Sequence, residues 1–315
     1  MKRILDYFRL MRPEQWVKNV FVIVPLIFSK NLFNISLFAE SFLAFISFCL
    51  AASSIYVIND IADRHLDRVH PIKRNRPIAA DVVTVTEGWV ISVILMFVSF
   101  LLLLLGNVHF TAAVPIIFYV VMNLSYSFRL KKIVLIDVFV IAAGFIFRII
   151  AGGYAIDVKI SSWLIMTTLF ISIFLGIAKR RSEFVSLNGS SSEANPGEDF
   201  STRNVLEDYD LSLIDQILSV SAASVIITYA LYTVSERTVE AFGTDALIFT
   251  TVFVVYGIFR YLYLIHRMGL GESPTNALFT DKPMVINVIL FTVSVVAIIY
   301  KHELTQIVSR YVSIQ

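Results

Sequence analysis

Three carboxylates, Asp60, Asp63 and Asp67, stand in the stretch "IYVINDIADRHLDRVHPIKRNRPIAAD" at residues 55–81. Read as a helix continuing from the preceding segment, they fall at i, i+3 and i+7 on one face, with Asn59 one turn before Asp63. Three carboxylates packed together repel unless a cation joins them. Mg²⁺ suits such a set, because it takes hard oxygen ligands and is commonly held by one or two carboxylates plus substrate phosphates. Lys73 and Arg76, a few residues on, would meet the remaining phosphate charge. A solvated helix of mixed charge is the ordinary alternative. Here no lysine interrupts the acidic face, and the cluster follows an apolar run, "LFAESFLAFISFCLAASSIYVI". The expectation is a metal and diphosphate site in which Asp60, Asp63 and Asp67 hold the metal.

A second charged group, Lys179, Arg180 and Glu183, occurs in "GIAKRRSEF". Retention of basic residues at the inner end of a membrane helix explains its charge, but not its clustering. Two further cation groups are Arg12 with Lys18 in "MRPEQWVKN", and Arg129, Lys131 and Lys132 after "NLSYSF". Anchoring to anionic lipid would call for as many cations, but not for the aspartates among them. Arg148, inside "IDVFVIAAGFIFRIIAGG", is an intramembrane arginine and so a functional candidate; snorkelling or pairing with a buried carboxylate is the structural alternative. The neighbouring Ala142, Ala143, Gly144, Ala151, Gly152 and Gly153 read as close helix packing. His65, His70, His109 and His266 show no metal-ligand spacing.

The elements that must position these groups are membrane helices. Hydrophobic residues make up 57% of the 315 residues and charged ones only 16%, against about 25% charge in a soluble domain. Apolar runs long enough to cross about 30 Å of hydrocarbon recur along the chain. They predict nine spans, near 17–36, 38–58, 87–106, 110–127, 134–153, 161–179, 213–234, 243–264 and 284–302. The first is the weakest, bracketed by Lys18 and Lys30 and broken by Pro25. Apolar residues run continuously instead of alternating, which excludes a lipid-facing barrel. The expected fold is therefore an all-α integral membrane bundle, one polytopic domain over residues 1–315. The single Cys49 rules out an intrachain disulfide and a Cys-rich metal site. The first residues, "MKRILDYFRLMRPEQW", are too charged for a cleavable signal and read as a basic amphipathic segment on the membrane surface.

With the N-terminus inside, twenty Lys and Arg lie in cytoplasmic segments and five on the opposite side, a bias that points to this orientation. The long connections, 59–86, 128–133, 180–212 and 265–283, then share the cytoplasmic face with the charged clusters. The longest reads as either a mobile lid or a plain linker. A transporter would place its binding charges near the midplane, often between repeated halves; these charges gather at one face and the Asp60 motif does not recur. A purely structural anchor leaves the aspartates unexplained, and no nucleic-acid partner is expected.

"NDIADRHLD" resembles the NDxxDxxxD signature of the UbiA superfamily of intramembrane prenyltransferases, and "HPIKRNRPIAA" resembles the HPxKxxRPIAxG that follows it. Asp81 stands where that second motif usually has glycine. The resemblance covers essentially the whole chain and implies a nine-helix bundle. Aromatic prenyltransferases of the superfamily carry a second aspartate-rich motif after the sixth helix. That place here reads "AKRRSE". With "MRPEQWVKNVFVIVPLIF", "YSFRLKKIVLIDVFVIAAGFIFRIIAGG" and "GESPTNALFTD", the chain is similar to the decaprenyl-phosphate phosphoribosyltransferase branch. That similarity implies Mg²⁺-dependent transfer of 5-phosphoribose from phosphoribosyl diphosphate to a polyprenyl phosphate in the cell membrane, with diphosphate released. It implies that Asp60, Asp63 and Asp67, oriented by Asn59, hold Mg²⁺, and that Lys18, Lys73 and Arg76 contact the diphosphate. Lys179, Arg180 and Glu183 would bind the rest of the donor, and Arg129, Lys131 and Arg148 the acceptor phosphate. The alternative is a prenyltransferase joining a prenyl diphosphate to an aromatic acceptor.

Overall fold

The computed structural model describes residues 2–70, 73–106, 108–128, 133–189, 210–268 and 280–312. Among the described residues, eight helices are long and apolar enough to cross a membrane. They are Ile35–Ala62, Val85–Leu105, Phe110–Ser127, Ile136–Ala155, Ser162–Val185, Leu211–Val234, Ala246–Arg267 and Lys282–Ile299, and each overlaps an expected span. Many large apolar side chains on them are exposed, among them Val93, Phe97, Leu104, Val220 and Val293. Outward apolar faces suit lipid rather than water.

The first expected span, 17–36, takes a different form. A 3-10 helix, Pro13–Val22, is followed by a five-residue helix, Val24–Phe28. Pro13 and Pro25 each open a helix, where the missing N–H is tolerated. Lys30 then takes a positive φ of 60°, and Asn34 starts the next helix by accepting from the Ser36 and Leu37 amides. Turn chemistry on both sides of a short apolar run prevents one membrane-length helix.

The chain forms two compact units. In the first, within Met1–Ile160, the helices α1 (Lys2–Leu10), α2 (Val24–Phe28), α3 (Ile35–Ala62), α4 (Arg64–Val69), α5 (Val85–Leu105), α6 (Ala113–Phe128) and α7 (Ile136–Ala155) surround a core that includes Phe48, Ile55, Ile116 and Tyr119. α3 and α5 form an antiparallel pair stitched by buried serines seven residues apart. Ser47 donates to the Ser99 carbonyl (2.7 Å) and Ser54 to the Ser92 carbonyl (2.9 Å). A capping box at Thr84 and Glu87 starts α5, and Glu87 also accepts from Arg3 and Tyr7 of α1. α7 lies against the 3-10 helix through Gly152, where an added Cβ would strike the Val22 backbone, so the small residues of "AAGFIFRIIAGG" do serve close packing.

The second unit, Ser161–Asn188 with Leu211–Gln315, contains α8 (Ser162–Gly189), α9 (Leu211–Val234), α10 (Glu236–Phe242), α11 (Thr251–Met268), α12 (Lys282–Ile299) and α13 (Lys301–Val312). α11 and α12 approach closely at Gly257, beside Asn287, whose amide donates to the Phe253 carbonyl (3.0 Å). Arg260 of α11 grips Asp281, the N-cap of α12, through two hydrogen bonds of 3.0 and 2.8 Å.

Candidate active site

The helix bearing the aspartates is not one continuous rod. α3 ends at Ala62, Asp63 occupies the joint with φ −92° and ψ 4°, and α4 begins at Arg64. Helical hydrogen bonds nevertheless run through the joint: the Asp63 amide donates to the Asn59 carbonyl (2.8 Å) and the Asp67 amide to the Asp63 carbonyl (2.9 Å). The i, i+3, i+7 spacing therefore survives only approximately. Asp60 and Asp67 are buried, at 2% and 3% exposure, while Asp63 is half-buried.

Arg76 ties the two buried carboxylates together. Its Nη1 donates to Asp60 Oδ1 at 3.3 Å and to Asp67 Oδ2 at 2.7 Å. Arg12, forty-eight residues before Asp60, forms a second ion pair with the same Asp60 oxygen. Its guanidinium lies over the Tyr56 ring. Asn59 accepts from the Ser127 hydroxyl, which joins the end of α6 to the end of α3. Lys73, on a 3-10 turn, is half-buried, with its backbone amide donating to His70 Nδ1 (3.3 Å). Lys18, also half-buried, lies on the 3-10 helix Pro13–Val22.

Asp81 explains its own departure from the usual glycine. Its φ is +56°, a conformation glycine adopts freely and aspartate better than most residues. Arg68 braces the turn by ion-pairing with Asp81 and donating to the Ala79 carbonyl (3.2 Å).

Arg148 does not join this cluster. It is 4% exposed, and its hydrogen-bond partners among the described residues are neutral. Nε donates to Asn19 Oδ1 (2.7 Å), Nη1 to the Gly144 carbonyl (2.8 Å) and Nη2 to the Tyr119 hydroxyl (3.4 Å). Phe48, Tyr119 and Phe145 face the guanidinium at 4.9–5.2 Å. Asn19 in turn donates to Cys49 (3.2 Å), eleven residues before Asp60 on α3, or about 16 Å of helix. These contacts seat Arg148 deep in the unit, among neutral and aromatic partners. Arg129 and Lys131 lie outside the described residues.

In the second unit, Lys179, Arg180 and Glu183 come together on α8. Glu183 pairs with Arg180 at 2.5 Å and with Lys179 at 3.7 Å. The adjacent Arg181 crosses to α9, binding Asp215 at 2.6 Å, and His266 of α11 approaches Asp215 at 3.7 Å. The contacts of Arg12 with Asp60, Asp215 with Arg181, and Asn19 and Tyr119 with Arg148 are missed by motif spacing, since each joins segments distant in sequence.

Among the described residues, no three His, Cys, Asp or Glu are gathered as a ready-made metal site. The donor chemistry still fits a hard divalent cation. Two buried carboxylates accept from one nitrogen atom, so a single cationic centre already spans them, and phosphate oxygens commonly complete such a shell.

The sequence pattern of the UbiA prenyltransferase family matches residues 21–190, which include Asp60, Asp63, Asp67 and Arg76. The chain belongs to the UbiA prenyltransferase family. Decaprenyl-phosphate phosphoribosyltransferase of Corynebacterium glutamicum is 31% identical over 92% of this chain and 85% of that protein. The Mycolicibacterium smegmatis protein of the same name is 31% identical over 92% and 91%. A UbiA homologue from Archaeoglobus fulgidus, solved bound to GPP and Mg²⁺, shares the fold with a TM-score of 0.68 at 18% identity, covering 93% of this chain and 99% of that one. This UbiA-family chain is thus a multi-pass membrane transferase by family and architecture.

Proposed function

We propose that this UbiA-family protein transfers 5-phosphoribose from phosphoribosyl diphosphate to a polyprenyl phosphate at the cytoplasmic face of the cell membrane, as one polytopic domain. The observation that carries the reading is that one chain holds both an Asp60–Asp67–Arg76 cluster and, after the sixth expected span, "AKRRSE". The carboxylates joined by Arg76 suit a metal and diphosphate, while the second aspartate motif of aromatic prenyltransferases is replaced by Lys179, Arg180 and a single acid, Glu183. The names of the 31% identical relatives support the same choice.

Asp60 and Asp67, with Asp63 at the joint between them, would hold Mg²⁺. When bound, it neutralises diphosphate charge and makes the diphosphate a better leaving group. Arg76, Lys73 and Lys18 bind and orient the diphosphate oxygens. Lys179 and Arg180 meet the other end of the donor, and Glu183 accepts from ribose hydroxyls. Arg129 and Lys131 receive the acceptor phosphate. That phosphate is already an anionic nucleophile, so no strong general base is needed. One of its oxygens attacks the anomeric carbon as the bond to diphosphate breaks, the leaving group departs with the electron pair, and the configuration inverts. Positioning and stabilisation of the departing charge supply the catalysis.

The test is incubation of the purified protein with labelled phosphoribosyl diphosphate, polyprenyl phosphate and Mg²⁺. The expected product is a labelled lipid with release of one diphosphate. No labelled lipid, together with turnover of a prenyl diphosphate onto an aromatic acceptor, would establish the prenyltransferase reading instead.

A further inference from the structure

Arg12 binds the inner carboxylate of the cluster from a backbone conformation that an arginine does not choose. Its φ is 52° and its ψ 59°, in the left-handed region, and the next residue is Pro13. A non-glycine residue pays for that region in steric strain, and a following proline disfavours helical backbone further. Strain of this kind persists only where surrounding structure over-determines it.

The surroundings do so here. The Ser53 hydroxyl donates to the Met11 carbonyl (2.7 Å), and Trp16 Nε1 donates to the same hydroxyl (3.0 Å). The Gln15 amide closes the turn on the Arg12 carbonyl (2.9 Å). Ser53, Tyr56 and Asp60 stand at i, i+3 and i+7 on α3, and they respectively clamp the turn, underlie the guanidinium and accept its hydrogen bond. The turn "MRPEQW" is therefore pinned on both sides of Arg12, with its side chain directed at Asp60.

The charge balance gives that arrangement a consequence. Arg12 and Arg76 cancel Asp60 and Asp67. A divalent cation held by Asp60, Asp67 and Asp63 would leave these groups with one surplus positive charge, suited to an anionic diphosphate. Arg12 also occupies Asp60 Oδ1, one of the two oxygens this carboxylate could offer such a cation. Because its backbone is clamped, a displaced guanidinium stays beside the carboxylate, where it is a charge-assisted donor for a phosphate oxygen.

We propose that Arg12 couples the two ligands: it competes with the divalent cation for Asp60 and, once displaced, binds the diphosphate, so that cation and diphosphate bind cooperatively. This rests on the metal and diphosphate reading above and assigns Arg12 a role inside it. The coupling is reciprocal, so each ligand must tighten the other by the same factor.

The experiment uses the full-length protein in nanodiscs, with Mn²⁺ binding followed by electron paramagnetic resonance and inorganic diphosphate binding by calorimetry. Arg12→Gly removes the guanidinium and relieves the positive φ, so the variant is expected to fold; Arg12→Lys keeps the charge. Arg12→Gly is expected to tighten Mn²⁺ measured alone by about threefold or more. It is expected to weaken diphosphate at saturating Mn²⁺ by about tenfold or more, the loss of one charge-assisted hydrogen bond. Arg12→Lys should fall between Arg12→Gly and wild type in both. Changes of the same sign in both affinities, or no change in either, would overturn the coupling while leaving the site intact. Failure of the wild-type protein to bind Mn²⁺ would overturn the metal reading and the coupling together.

Discussion

Asp60 and Asp67, seven residues apart, accept hydrogen bonds from one nitrogen atom, Nη1 of Arg76. Three charged groups so joined stand or fall together. Asp67→Asn keeps the shape and removes a ligand charge. Mn²⁺ affinity should fall by about tenfold or more, since even indirect partners of a metal site contribute that much. Transfer activity should fall in parallel at limiting Mg²⁺ and recover in part at high Mg²⁺. Full activity of this variant at limiting Mg²⁺ would sink the metal site.

Gly152 and Gly88 should respond differently to the same added methyl. At Gly152 a Cβ collides with the Val22 backbone, which cannot turn aside. At Gly88 the nearest atoms are side-chain carbons of Ile61 and Ile78, their terminal methyls at 3.1 Å. Gly152→Ala is expected to cost about 1–3 kcal/mol as overpacking or to prevent folding, while Gly88→Ala stays near neutral. Thermal unfolding of both variants in one detergent gives the comparison.

Replacement of Asp81 separates backbone strain from the ion pair. Asp81→Gly frees the positive φ but gives up the bond to Arg68. At 75% and 42% side-chain exposure that pair is worth at most about 1 kcal/mol. The two effects offset, and stability should remain within about 1 kcal/mol of wild type. Asp81→Val loses both the pair and the tolerance of φ +56° and should cost about 1–3 kcal/mol. Equal losses in the two variants would show that the turn is not conformationally selective.

Asp281 predicts an acid sensitivity in the second unit. The hydrogen bond from Arg260 holds its carboxyl below the ordinary value of 3.8, outweighing the opposing effect of burial. A group whose folded pKa is lowered contributes stability that is present above the unfolded value and lost as pH falls through the folded one. Asp281→Asn still caps α12 at the Met284 amide but loses the charge facing Arg260. The wild-type protein should therefore melt above this variant at neutral pH, and the gap should close as the pH drops below about 4. A gap of constant size down to acid pH would assign the stability to something other than the ion pair.

Most of the fold was legible because membrane helices are written locally: each of eight apolar runs needs only its own length and composition to be read. The stretch 17–36 resisted that reading because its breaks come from turn chemistry at Pro25, Lys30 and Asn34 that average hydropathy conceals. The aspartate spacing was legible for the same local reason, although the joint at Asp63 interrupts the expected helix. Arg12 is hidden from such reasoning, since nothing in "MRPEQW" reveals a positive φ or a partner forty-eight residues on. Arg148 stood out as a charge in an apolar run, but two of its hydrogen-bond partners, Asn19 and Tyr119, lie 129 and 29 residues earlier. Only the folded chain reveals the neutral and aromatic surroundings that receive it.

The seat of Arg148 also bears on how the protein is made. A lone helix carrying an arginine well inside its apolar stretch enters a bilayer at a cost of about 2.5–3.5 kcal/mol on insertion scales. Asn19, Phe48 and Tyr119, which receive that charge, all precede α7 in the chain. During synthesis these residues leave the ribosome first and are available to receive Arg148 when α7 emerges. Biogenesis is thereby ordered from the N-terminus, and an error in the opening segment should surface as failed integration of a helix more than a hundred residues later.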